Sequence, residues 1–178
     1  MTKEMQSVEE RLAIVEDERA IEKVLADYAL ALDWIDMELL DKVFWDDAEI
    51  DYGFFQGSGR DFKPVVMDVE KSLGRRMHMV SNVRLSVTGN SAKASGYHLS
   101  IASPEVDKPV PDGLSVFAGY YLDTLEKRDG RWGISSRKHI LVGGSQIPEI
   151  PLEGDMDALN RIGETRGPHP ERDKLPYR

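Results

Sequence analysis

The sequence contains no cysteine, which removes disulfides, thiolate nucleophiles, zinc–thiolate sites and iron–sulfur clusters together. Basic residues are in the minority, with 23 Lys and Arg against 32 Asp and Glu and a formal charge of -9. Nucleic acid is therefore not an expected partner, because phosphate binding needs a basic stripe. No apolar run approaches the roughly 20 residues of a membrane-spanning helix, so no membrane partner is expected either. Residues 1–10 are charged and polar and lack the apolar segment of a secretory signal; the cytoplasm is the expected compartment. Neither an internal repeat nor a low-complexity stretch is visible.

What is present suffices for a core. The chain has 178 residues, 40% of them hydrophobic, which fits one domain. A fold of this size removes roughly 70% of its extended-chain surface from water.

Ser7-Val8-Glu9-Glu10 is a capping box, with Ser7 and Glu10 placed to satisfy each other's orphan amides. Beyond it, Ile21, Leu25, Tyr28 and Leu32 recur at helical spacing with Val24 alongside. A helix is predicted to about Asp33, with the charges at 17–19 as the place for a break or bend. A shorter helix carries Leu39, Leu40, Val43 and Phe44 after a turn of two or three residues. The period then changes: Ile50, Tyr52 and Phe54 alternate as in a short strand, which Gly57-Ser58-Gly59 ends. Residues 61–73 read as a third helix, in which Pro64 is tolerable only in the first turn, and Gly74 is a plausible stop. In the second half, strands at 77–87 and 93–102 flank Thr88-Gly89-Asn90-Ser91, and strands at 114–125 and 131–141 flank Arg128-Asp129-Gly130. Residues 104–113 read as a Pro-rich loop. Residues 148–178 hold five of the nine prolines and form a tail outside a domain at 1–147. Helices, a strand, a helix and a meander of long strands define an α+β fold, not a βαβ alternation. Ile21, Leu25, Val43, Phe44 and Trp132 are expected in its core.

Several familiar chemistries lack support. Gly57-Ser58-Gly59 has no βαβ context and Phe62 stands where a dinucleotide fingerprint needs glycine. Gly143-Gly144 lacks the lysine of a phosphate loop. The histidines, His78, His98, His139 and His169, show no tight metal spacing, so no metal site is expected. There is no G-x-S-x-G elbow. What remains are acids, tyrosines and histidines that are ordinary one by one. An aspartate at a helix end such as Asp33 is by default a cap, Tyr28 sits on an apolar stripe, and Tyr52 packs on a strand face.

Their combination is more specific. The runs Tyr28-Ala29-Leu30-Ala31-Leu32-Asp33, Trp45-Asp46-Asp47-Ala48-Glu49-Ile50-Asp51-Tyr52, Met77-His78-Met79 and Lys127-Arg128-Asp129-Gly130-Arg131-Trp132 resemble the SnoaL-like branch of the nuclear transport factor 2-like superfamily. The resemblance runs from about Glu9 to Leu141. It implies a cone-shaped α+β barrel with three N-terminal helices packed in a strongly curved mixed sheet. Three enzyme groups of that branch are most similar: the scytalone dehydratases, the bile acid 7α-dehydratases and the hexachlorocyclohexane dehydrochlorinases. Asp33, Tyr52 and His78 match the first group, Tyr28, Asp33 and His78 the second, and Asp33 with His78 the third. The sequence also departs from them. The scytalone dehydratases' second histidine falls on Pro104, their later serine and asparagine on Gly119 and Tyr121, and the bile acid enzymes' arginine on Leu141.

The resemblance thus implies a cofactor-free lyase working on a hydroxylated cyclic or aromatic small molecule. His78 would be the base, Asp33 would fix its tautomer, and Tyr28 and Tyr52 would donate to a carbonyl or departing oxygen. Trp34, Phe54, Met79 and Tyr121 are the candidate apolar walls. Loss of halide or formaldehyde, or isomerisation, uses the same parts. The competing expectation is a noncatalytic binding module resembling the β subunit of ring-hydroxylating dioxygenases. The matched enzymes imply a homotrimer, with a dimer as the alternative. His98 is set aside by hairpin geometry. With the turn centred near Asn90, His78 faces about Ser103 and His98 about Val83, which at 3.3 Å per residue separates the histidines by about 17 Å.

Overall fold

The capping box forms as written. Ser7 Oγ accepts from the Glu10 amide at 3.1 Å and Glu10 reaches back to the Ser7 amide at 2.8 Å, opening α1 (Val8–Asp33). The computed structural model describes residues 7–103, 113–148, 153–160, 167–168 and 171–174. Most of the loop expected at 104–113 and of the tail expected at 148–178, with Pro104 and His169, lies outside the described residues. Among those described, no helix is long and apolar enough to cross a membrane.

No break interrupts α1 at residues 17–19. Two of its three charges there are partnered: Asp17 accepts from Lys127 Nζ at 2.7 Å and Trp132 Nε1 at 2.8 Å, and Arg19 pairs with Glu22 at 2.9 Å. After three linking residues comes α2 (Met37–Val43), capped by Asp36, whose side chain accepts from the Leu39 amide. Phe44 belongs not to this helix but to β1 (Phe44–Asp51), which is longer than the alternation of Ile50, Tyr52 and Phe54 implied. Tyr52 lies just past its end and Phe54 in the turn that follows. The short β2 (Gln56–Ser58) was not legible in the sequence.

Ser58 then caps α3 (Gly59–Ser72) by accepting from the Asp61 amide at 3.2 Å. The helix thus starts two residues before the expected position, and Pro64 falls in its second turn, where it is exposed. Gly59 packs so closely on β1 that a Cβ would stand 2.2 Å from the Trp45 carbonyl oxygen.

The remaining strands are β3 (Arg76–Thr88), β4 (Ser91–Ala102), β5 (Leu114–Arg128) and β6 (Arg131–Ile147). The six strands form one sheet in the order β2-β1-β6-β5-β4-β3. It is mixed, because β1 runs parallel to β6 while the other pairs are antiparallel. It is also open: β2 and β3 lie at opposite edges, so hydrogen bonding does not close the expected barrel. The expected core residues Ile21, Leu25, Val43, Phe44 and Trp132 are all buried in one cluster drawn from the helices and the sheet.

The β3–β4 hairpin decides the geometry of the site. The turn at Gly89-Asn90 pairs Thr88 with Ser91, and a bulge between Ser81 and Arg84, with Asn82 at φ 51°, shifts the ladder by one residue. His78 therefore pairs with Ser100 and His98 with Val80. The two histidines are diagonal neighbours on one face, about 7–8 Å apart at Cα, and the expected separation of 17 Å does not hold.

Candidate active site

Asp33 is the last residue of α1 and His78 the third of β3. Asp33 Oδ1 lies 2.7 Å from His78 Nδ1, and Oδ2 accepts the main-chain amide of His78 at 2.9 Å. The carboxylate thus holds both the ring and the strand that carries it. Because a carboxylate only accepts, Nδ1 carries the proton and Nε2 keeps its lone pair. Burial works against a charge on His78, but the hydrogen bond to Asp33 and the negative field of Glu70 outweigh it and raise the pKa.

Beside Asp33 opens a cavity of about 420 Å³ lined by Trp34, Met77, Ile101 and Leu114 with Arg75 and Arg76. Trp34 caps α1 and so stands at this mouth. A wider cleft of about 620 Å³ surrounds Trp45 and Arg131 elsewhere. There Arg128 is already committed to Asp47, and Arg60 to Asp46.

Tyr28 and Tyr52 meet inside the fold, hydroxyl to hydroxyl at 2.6 Å. Burial raises both pKa values, that of Tyr28 well above the ordinary one, so both remain donors at neutral pH. Tyr121 is buried beside them, its ring 5.7 Å from that of Tyr28. Two of the expected walls are not brought to this interior. Successive side chains of a strand point to opposite faces, so Met79, which directly follows the inward His78 and is itself 42% exposed, points outward. Phe54 is 67% exposed in the turn after β1.

The interior holds further groups that the sequence reading did not use. Arg137 of β6 is buried and forms a bidentate pair with Asp123 of β5, at 2.8 and 2.7 Å. Its guanidinium lies over the rings of Tyr28 and Tyr121, 4.4 and 4.1 Å from their centroids. His98 and His139 join through their Nε2 atoms at 2.7 Å, His98 stacking on Tyr121 and His139 on Tyr52. Burial, then the neighbouring charges, depress His98 to about 4; burial and Arg137 lower His139. Both are neutral at pH 7, and the shift of His78 runs in the opposite direction. The signal for Arg137 was its cross-strand pairing with Asp123, which requires the β5–β6 register. His98 was reachable had the ladder been counted from the Thr88–Ser91 pair and the bulge foreseen.

Three N-terminal helices packed with an open mixed sheet define the nuclear transport factor 2-like fold. Within it the chain belongs to the SnoaL-like domain family, whose sequence model matches residues 13–138. No curated protein matches the chain. Solved structures do. A candidate scytalone dehydratase from Novosphingobium aromaticivorans is 27% identical, covering 76% of this chain and 91% of that one, with a TM-score of 0.66. The hexachlorocyclohexane dehydrochlorinase LinA-type3 from Novosphingobium barchaimii is 22% identical over 79% of this chain and 99% of its own, with a TM-score of 0.69. A candidate aromatic ring hydroxylase from Novosphingobium aromaticivorans is 20% identical over 75% and 94%, with a TM-score of 0.64.

Proposed function

We propose that the chain is a cofactor-free lyase of the dehydratase type, acting on a hydroxylated cyclic or aromatic small molecule. The observation that carries this reading is the 2.7 Å contact between His78 Nδ1 and Asp33 Oδ1, Asp33 being the member of the pair that also lines the neighbouring cavity. Elimination needs a base beside an activated C–H bond and a group that polarises the substrate or protonates the leaving oxygen. His78 Nε2 takes the proton, and Asp33 holds the tautomer and stabilises the imidazolium that forms. Tyr28 and Tyr52 supply hydroxyl donors, and Trp34 and Tyr121 apolar walls. A family likeness to a candidate scytalone dehydratase supports the choice of water as leaving group. Homotrimeric assembly belongs to the same proposal and is read by light scattering.

The test is a turnover screen of cyclic hydroxy-ketones and hydroxylated aromatic precursors, followed by the absorbance of the new double bond. Wild type is expected to convert at least one, and Asp33→Asn to lose about 10²–10⁴ in kcat. Stoichiometric ligand binding without turnover in wild type would replace this reading with a noncatalytic module. Equal turnover by Asp33→Asn and wild type would remove the mechanism.

A further inference from the structure

Glu70 takes no part in the mechanism above, yet its position is unusual. It lies in the last turn of α3 on the stripe formed by Phe62, Val66 and Met67, and is only 5% exposed. An ionised carboxylate there costs several kcal/mol unless it is partnered. Arg76 gives its Nε–H to the main-chain carbonyl of Glu70 at 3.1 Å, and stands 3.9 Å from the carboxylate oxygen Oε2. Oε2 has no hydrogen-bond partner among the described residues. The other oxygen, Oε1, lies 3.7 Å from His78 Nε2. The imidazole is therefore bracketed, with Asp33 on Nδ1 and Glu70 facing Nε2.

Two further facts agree with this geometry. Burial raises the pKa of Glu70, with the charges of His78 and Arg76 pulling it down and Asp33 pushing it up. The charged or titratable groups around the pair are Asp33 from α1, Arg76 from β3 and His98 from β4. Two ionisable groups that interact strongly lose their protons in steps that belong to the pair and not to either residue.

We propose that Glu70 is the acid of the site, sharing one proton with His78 Nε2 and delivering it to the leaving oxygen. This inference rests on the lyase reading. In the reactive form His78 is neutral and Glu70 carries the proton. The C–H bond breaks as its proton passes to His78 Nε2. The C–H electron pair forms the C=C bond, the C–O bond breaks, and the departing oxygen leaves with the C–O electron pair and takes the proton of Glu70. Water departs, leaving imidazolium facing carboxylate. The proton gained by His78 then crosses to Glu70, so the site resets without solvent. Because base and acid stand side by side, hydrogen and oxygen leave from the same face of the substrate.

The test needs no substrate. The full chain, labelled with ¹⁵N in its histidine rings and ¹³C in its glutamate carboxyls, is titrated by NMR as wild type, Glu70→Gln and Glu70→Asp. In wild type, the His78 nitrogens and the Glu70 carboxyl are expected to follow the same two steps. In Glu70→Gln, His78 is expected to titrate in one step at lower pH, since the negative neighbour is gone. If circular dichroism shows that variant unfolded, Glu70→Asp is read instead, and its His78 midpoint is expected below that of wild type. A His78 curve unchanged in the folded variant overturns the inference and leaves the Asp33–His78 mechanism standing. On any compound found to turn over, Glu70→Gln is expected to lose about 10²–10⁴ in kcat and to lose the alkaline fall of rate that departure of the shared proton causes. Retention of both would overturn the inference even with Asp33→Asn inactive.

Discussion

At the scale of residues, opposite protonation habits are set within one interior. His78 is drawn toward the charged state by Asp33 and Glu70, although burial opposes it. His98, its diagonal neighbour, is driven toward the neutral state, with a pKa of about 4. The acid limb of any activity that needs neutral His78 should therefore rise with pH through a value above the ordinary 6.5 of histidine, as a pH–rate profile will read. Removing Asp33 and His78 together should cost little more than removing His78 alone, because groups acting as a unit are not additive; kcat of Asp33→Asn/His78→Ala against His78→Ala checks this. For His98 the sign is reversed. Below pH 6.5 the unfolded chain binds a proton that the folded chain refuses until about 4, so stability is full above 6.5, falls through that window and levels off beneath it. His98→Asn should lose less of its melting temperature than wild type on acidification from pH 7 to 4.

At the scale of elements, one glycine makes the histidine pair possible. Gly119 of β5 lies opposite His98, and a Cβ there would stand 2.6 Å from His98 Nε2 and 2.3 Å from the Ile140 carbonyl oxygen. Gly119→Ala should destabilise the fold by about 1–3 kcal/mol, as overpacking does, and should separate the ring signals of His98 and His139. The elements also show what a sequence can and cannot announce. Helix α1 was legible from its capping box and stripe because both are local. So were the hairpin turns at Gly89-Asn90 and Asp129-Gly130. The placing of Asp33 against His78 was implied by family resemblance and not by pattern. Glu70 and Arg137 were illegible for a physical reason: each is a charge on a buried face whose partner comes from another element. The one sequence sign of Glu70 was a carboxylate at a position where the stripe of Phe62, Val66 and Met67 calls for an apolar residue.

At the scale of the whole molecule, a cation is held at the centre. Arg137 is completely enclosed by Asp123, Tyr28, Tyr121 and Phe44. Removing one partner of such a pair strands the other, so Arg137→Met should cost about 3–5 kcal/mol in denaturant unfolding. Arg137→Met/Asp123→Leu should recover most of that loss, because an apolar replacement of a whole buried pair is often neutral. The sheet that encloses this centre also has an outside, and the bulge at Asn82 decides which side receives His78. Beyond the bulge the odd-numbered Leu85 and Val87 pack against the core, and before it the even-numbered Arg76, His78 and Val80 turn inward. The location of the histidine is therefore a matter of parity. With Asn82 present, a ladder without the bulge would set His78 opposite Ile101 and turn it to the solvent. Deleting Asn82 should leave a regular hairpin with Val83 opposite Gly96 and His78 still opposite Ser100, so that its contact with Asp33 and its protection from diethyl pyrocarbonate are kept.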